Sequence, residues 1–144
     1  MKEVFAQTFP GGQIVADVQS VTLVNNTQKI IDVTVPTDTV YILHSVKAVN
    51  CDDVARTITI SIYKEAAKTN LIMTLTSVSR NAAAMVQIPC STTVDSVATN
   101  PGMPHPIPLG PGMTVSVAWA AGGASTGATD ADGLVLLYRK LPLT

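Results

Sequence analysis

The sequence predicts an all-β fold, an antiparallel β-sandwich of jelly-roll type with about eight strands. Three observations carry that prediction. Apolar and β-branched residues recur with period two along most of the chain, which marks strands buried on one side. The intervening segments are rich in Asn, Asp, Gly and Pro, the residues that supply turn dihedrals. No long helical pattern separates the strands, so the helical crossovers that parallel pairing requires are missing and hairpin connections remain.

The elements follow in order. Residues 1–12, MKEVFAQTFPGG, read as an N-terminal arm, because Pro10, Gly11 and Gly12 stop strand pairing and permit a sharp departure. Such an arm would offer Val4, Phe5 and Phe9 to a subunit or other neighbour. The sandwich domain then spans 13–144. QIVADVQSVTLV (13–24) reads as strand, either one or two short ones, and VNNTQ turns the chain into QKIIDVTVP (28–36). After the turn VPTDT comes VYILHSVKAV (40–49), where Tyr41, Leu43, Ser45 and Lys47 alternate against Val40, Ile42, His44, Val46 and Ala48.

NCDD turns the chain again. In RTITISIYK (56–64) Ile58, Ile60 and Ile62 share one face, and Thr57, Thr59 and Ser61 share the other. LIMTLTSV (71–78) is the next strand. In SRNAAAM, Ser79 would suit the cap of a short helix, but the apolar MVQIP that follows favours a strand over 83–89. TVSVAWA (114–120) places Val115, Val117 and Trp119 together, and GLVLLYRK (133–140) closes the chain. No repeat of fixed period occurs, so solenoids and propellers are excluded.

NPGMPHPIPLGPGM (100–113) holds five of the chain's nine prolines. Each fixes its own φ and biases the preceding residue away from helix. The stretch reads either as a stiff crossover covering the sandwich or as a preorganised contact loop displaying Met103, His105 and Ile107.

Composition excludes several function classes. A chain of 144 residues fits one domain and buries about two thirds of its unfolded surface. The formal net charge of −1 with no run of either sign leaves no basic field for nucleic acid or anionic membrane. Glu3 interrupts the apolar run a signal peptide needs, and nothing approaches the ~20 apolar residues of a membrane span; synthesis in the cytoplasm is expected. Only 13% of residues are charged against a usual value of about 25%, so the surface is either neutral or partly covered by something else.

No catalytic, cofactor or metal site is expected. Cys51 and Cys90 match no metal spacing and read as buried or semi-buried thiols. DADG (130–133) resembles the start of a calcium loop, but GLVLLYR follows instead of a ligand glutamate, so a turn into a strand is the better account. His44, inside a strand pattern, suits a core or interface role better than that of a base, and His105, between two prolines, suits partner contact better than metal binding. GGASTG (122–127) lacks the lysine and helix of a phosphate loop and reads as a hairpin loop. NNT (25–27) is a glycosylation triplet without meaning in the absence of a secretion signal. Trp119 belongs to the core pattern, which leaves no aromatic platform for sugar.

Taken together, VTVPTDTVYILHSVKAVNCDDVARTITISIY, then IPLGPGMTVSVAWAAGG, then DADGLVLLYRKLP resemble small β-sandwich proteins of tailed bacteriophages, the capsid decoration or cement proteins. The resemblance spans about residues 28–141. It lies in a strand ending in Val-Pro, a strand carrying ILHSV, an Arg leading into an alternating strand, LxPG, and an aspartate before VLLYRK. It implies a virion protein on the capsid surface that is not an enzyme. Such a protein associates as a homo-oligomer, a trimer by preference, and bridges major capsid protein subunits. Other phage structural roles (head–tail adaptor, tail or baseplate sandwich) share this pattern, and a cellular glycan- or peptide-binding module is the further alternative.

Overall fold

The computed structural model describes residues 2–9, 12–22, 27–50, 56–78, 84–88, 106–121 and 131–143, with side chains over 12–19, 27–48, 56–74, 106–121 and 138–143. Ten strands and no helix occur among the described residues: β1 Lys2–Phe9, β2 Gly12–Thr22, β3 Lys29–Thr34, β4 Thr39–Asn50, β5 Thr57–Tyr63, β6 Leu71–Val78, β7 Ala84–Ile88, β8 Ile107–Leu109, β9 Thr114–Trp119 and β10 Ala131–Pro142. Every pairing is antiparallel. The strands form a six-stranded sheet in the order β1-β2-β10-β4-β7, with β8 also on β4, and a four-stranded sheet in the order β3-β9-β5-β6.

Pairing is nested along the chain. β2 pairs with β10, β3 with β9, β4 with β7, and β5 with β6, so the chain runs as one long hairpin folded into two sheets. β7 and β8 are two halves of one strand line. Ile88 lies opposite Val46, and Ile107 lies opposite Leu43, so the chain leaves the edge of β4 after residue 88 and rejoins it three positions along β4.

The two sheets pack through one core, which makes the fold a β-sandwich. The four-stranded sheet contributes Ile58, Ile60, Ile62, Val115, Val117 and Trp119; the six-stranded sheet contributes Val15, Tyr41, Leu43, Val46, Ala48, Ile107, Leu109 and Tyr138. The three isoleucines and Trp119 are fully buried. Each such side chain withdrawn from water stabilises the fold by about 1.5–3 kcal/mol. The Ile/Thr alternation of β5 is therefore expressed as expected, isoleucines inward and Thr57, Thr59 and Ser61 outward.

β4 departs from its expected alternation. Its buried residues are Tyr41, Leu43, Val46 and Ala48, a set that no strict period of two produces. The register explains this: Tyr138 lies opposite Leu43 and Leu137 opposite Ser45, so His44 has no counterpart on β10. His44 is the extra residue of a β-bulge, which moves every later side chain to the other face.

Two further elements differ from the sequence reading. Residues 2–9, read as part of an arm, form the edge strand β1, paired along its whole length with β2 from Lys2–Gln19 to Phe9–Gly12. Ile107–Leu109, inside the proline run, forms β8. Its alternation buries Ile107 and Leu109 and exposes Pro108, whose missing N–H is tolerated at an edge. The stretch 13–24 is a single strand to Thr22. The proposed turn TDADG enters β10 earlier than expected, at Ala131, with Asp132 opposite Val21 and Gly133 opposite Ser20.

Candidate functional site

The polar residues inside the sandwich have structural partners. Asp17 is 2% exposed on the inward face of β2 and accepts a hydrogen bond from Gln19 Nε2 at 3.3 Å. Tyr138 stacks on Tyr41 in the same interior. Its phenol is held protonated well above the ordinary tyrosine range, first by burial, then by the hydrogen bond and charge of Tyr41, and then by the charge of Asp17. This suits a rigid interior and not a proton donor working near neutrality.

Arg56, which leads into β5, is also 2% exposed. Its guanidinium donates to the carbonyl oxygens of Ala120 at 3.1 Å and Thr27 at 3.4 Å. One side chain thus ties together the start of β3, the start of β5 and the end of β9. The planar fork of arginine suits this, because it presents several donors in fixed directions.

The outer face of the four-stranded sheet is mixed: Ile30 stands exposed beside Asp32 and Thr34 on β3, Leu71 and Ile72 are exposed on β6, and the loop between β5 and β6 crosses the middle of the sheet. Ser61 and Ser116 are each 6% exposed although they face outward. Thr34 and Thr114 share a hydrogen bond of 2.9 Å, and Ser61 and Thr74 one of 3.1 Å. The loop 64–70 between β5 and β6 reaches across β9 to β3, where Lys68 Nζ meets Asp32 Oδ2 at 2.8 Å. Glu65 holds the loop in shape by accepting from both the backbone and side chains of Thr69 and Asn70. These bonds, the Thr69 hydroxyl foremost, lower its carboxyl pKa.

The outer face of the six-stranded sheet also carries apolar residues, and here they gather on two strands. Since Val15 and Asp17 are buried inward, Ile14, Ala16 and Val18 stand on the outer side of β2, with Val40 and Ile42 on the outer side of β4. Arg139 lies in register between Ile14 and Ile42, and Arg139 and Lys47 are exposed at this face. An antiparallel sheet with one solvated face ordinarily alternates to polar residues there. This apolar outer face is the candidate functional surface.

The sequence-derived contact residues fall in three places. Val4, Phe5 and Phe9 lie on β1 opposite Asp17, Ala16 and Gly12. Met103 and His105 lie outside the described residues. Ile107 is 5% exposed and packs in the core, so it is a structural residue of β8 and is not displayed to a partner; its pairing with Leu43 draws it in. His44 sits half-buried on the bulge. Cys51, Cys90, Asn25, Asn26, Ser79, Asp130 and the GGASTG loop lie outside the described residues. Among the described residues no cluster of His, Cys, Asp and Glu is placed to hold a metal ion, and no helix is long and apolar enough to cross a membrane.

The apolar outer face was missed in the sequence because alternation alone does not say that both sides of a strand are apolar. The signal was present in IVADV and LVLL, where apolar residues occupy consecutive positions. No protein-family model matches the chain, and no curated protein matches it in sequence.

Proposed function

We propose that the protein is a non-enzymatic virion component of capsid decoration type, binding the assembled lattice of a major capsid protein and acting as a homo-oligomer, by preference a trimer. The observation that carries this reading is the apolar outer face of the six-stranded sheet. Ile14, Ala16, Val18, Val40 and Ile42 form an apolar surface with the character of a subunit contact.

The nested pairing supports a jelly roll. β2-β10-β4-β7 against β3-β9-β5-β6 is the strand order obtained when a hairpin of four antiparallel pairs is wound into two sheets. The low charge content suits a surface shared with neighbours. Function then needs no chemistry: a protein that binds the assembled shell and not its dissociated subunits stabilises the shell by mass action.

The test is to add the purified chain to assembled capsids lacking it, and separately to dissociated capsid protein. The expected result is saturable co-sedimentation with capsids alone and a higher temperature of capsid disruption. Absence of binding to capsids overturns the reading, and density at the tail or the head–tail junction in a particle map assigns the other structural role.

A further inference from the structure

We infer that the apolar outer face of the six-stranded sheet is covered by the same face of a second copy of this chain, related to the first by a two-fold axis parallel to the strands. The inference rests on the homo-oligomer part of the reading above and not on the capsid; any three-fold association would use other surfaces. What points to a second copy is the order of charges along the face, which is complementary to itself.

Residues directly opposite one another in an antiparallel sheet share a face. On the outer face, Glu3 of β1 lies opposite Val18 of β2, Val18 opposite Val135 of β10, and Val135 opposite Lys47 of β4. This cross-strand row has an acid at one end, a base at the other and two valines between. Its ends stand three strand spacings apart, about 14 Å, too far to pair within one copy. Lys47 is exposed and has no ion pair among the described residues.

When two such faces are laid together, a half turn about an axis along the strands, midway between β2 and β10, exchanges β1 with β4 and β2 with β10. It sets Lys47 of each copy against Glu3 of the other and lays Val18 on Val135. Sheets stacked in this way lie about 10 Å apart, a gap that a lysine and a glutamate side chain span together. Gln7, Ile14, Arg139 and Ile42 form a parallel row, so the same turn places Arg139 over Ile14 of the second copy and beside Gln7, whose amide oxygen is an acceptor.

A half turn about an axis across the strands would instead set Lys47 over Ile42 and Glu3 over Gln7, leaving both charges without partners. Charge therefore selects the first arrangement, an isologous contact in which one patch serves both copies. It also keeps the two strand directions aligned, as face-to-face sheets prefer.

The size of the face suits the contact. Five strand lines at about 4.8 Å and the length of Gly12–Ser20, about 26 Å, give roughly 600 Å² in plan. Stable interfaces cover about 800 Å² of accessible surface on each partner, and the relief of side chains raises accessible area above plan area. Ile14, 37% exposed in the single chain, lies within it.

The experiment is sedimentation velocity on the full chain at tens of micromolar, where a dimer or an even multiple of it is expected. Glu3→Lys and Lys47→Glu should each raise the dissociation constant about tenfold or more, because each puts two like-charge contacts into the dimer. The double variant, with the charges exchanged, should restore association, and circular dichroism checks that every variant is folded. A wild-type monomer or trimer, single variants that associate as wild type does, or a double variant no better than the singles overturns the inference. A trimer leaves the homo-oligomer reading standing, and co-sedimentation with capsids tests the capsid reading separately.

Discussion

Tyr41 and Tyr138 stack inside the sandwich with ring centroids 4.1 Å apart and planes 18° from parallel. They are diagonal neighbours on β4 and β10, since Tyr138 lies opposite Leu43 and Tyr41 opposite Lys140. Buried aromatic pairs add about 0.5–1.5 kcal/mol beyond the area they bury. Burial first, then Tyr41, then Asp17, raise the pKa of Tyr138. An unfolded tyrosine ionises near about pH 10, so the unfolded chain releases a proton above that pH while the folded chain keeps it. Stability is thus intact below about pH 10 and falls as pH rises beyond it. Urea unfolding across this window should show the decline, and Tyr138→Phe should make it shallower. An equal slope in the variant would show that Tyr138 is not its source.

Arg56→Ala should destabilise the protein by about 3 kcal/mol, because it removes a buried side chain and the donors that satisfy the carbonyls of Thr27 and Ala120. Arg56→Lys keeps the charge but loses the fork, and should recover only part of that stability. Denaturant midpoints compare the three chains directly. A loss below about 1 kcal/mol for the alanine variant would mean that water replaces the guanidinium at no net cost.

The clamp of loop 64–70 onto β3 should matter little to global stability. Lys68 and Asp32 are 29% and 39% exposed, and exposed ion pairs contribute about 0–1 kcal/mol. Asp32→Asn should cost less than about 1 kcal/mol, and less still in high salt. Lys68 has φ 58°, where a side chain is disfavoured. Lys68→Gly, which loses the ion pair but relieves that conformation, should stay within about 0.5 kcal/mol of wild type. Lys68→Val should cost about 1–2 kcal/mol, since a β-branched residue fits positive φ poorly. Thermal melts in low and high salt check the set.

The strands that carry the core were legible because burial on one face leaves a mark in the residues themselves. Ile58, Ile60 and Ile62 alternate with Thr57, Thr59 and Ser61, and Val115, Val117 and Trp119 share a face of β9. What was not legible depends on pairing rather than on composition. Pro10, Gly11 and Gly12 signal a break whether the chain then leaves the domain or doubles back, so β1 looked like an arm. β8 is three residues long and lies among prolines, and its strand character comes from β4 beside it. Asp17 carries no sequence mark of burial: it sits where the alternation of β2 points inward, and Gln19 donates a hydrogen bond to it there. The apolar outer face emerges only when Ile14 and Ile42, far apart in sequence, are brought on either side of Arg139.

The bulge in β4 gives the last prediction. His44 has no counterpart on β10, and without it the sequence Tyr41-Ile42-Leu43-Ser45-Val46-Lys47-Ala48 alternates without interruption, with Tyr41, Leu43, Val46 and Ala48 all on one face. That is the buried set found in the protein. Deleting His44 should therefore leave the core composition unchanged and cost no more than about 1–2 kcal/mol, whereas deleting Ile42 should unfold the chain, because it turns Tyr41 outward relative to Leu43. The bulge also lies where β7 ends and β8 begins on the edge of β4, and bulges bend the strand that carries them. The His44 deletion should thus straighten β4 and shift the point at which the chain re-enters at Ile107. Circular dichroism and thermal melting of the two deletions separate these outcomes. A His44 deletion that fails to fold would show that the bend, and not the alternation, determines how β4 meets β7 and β8.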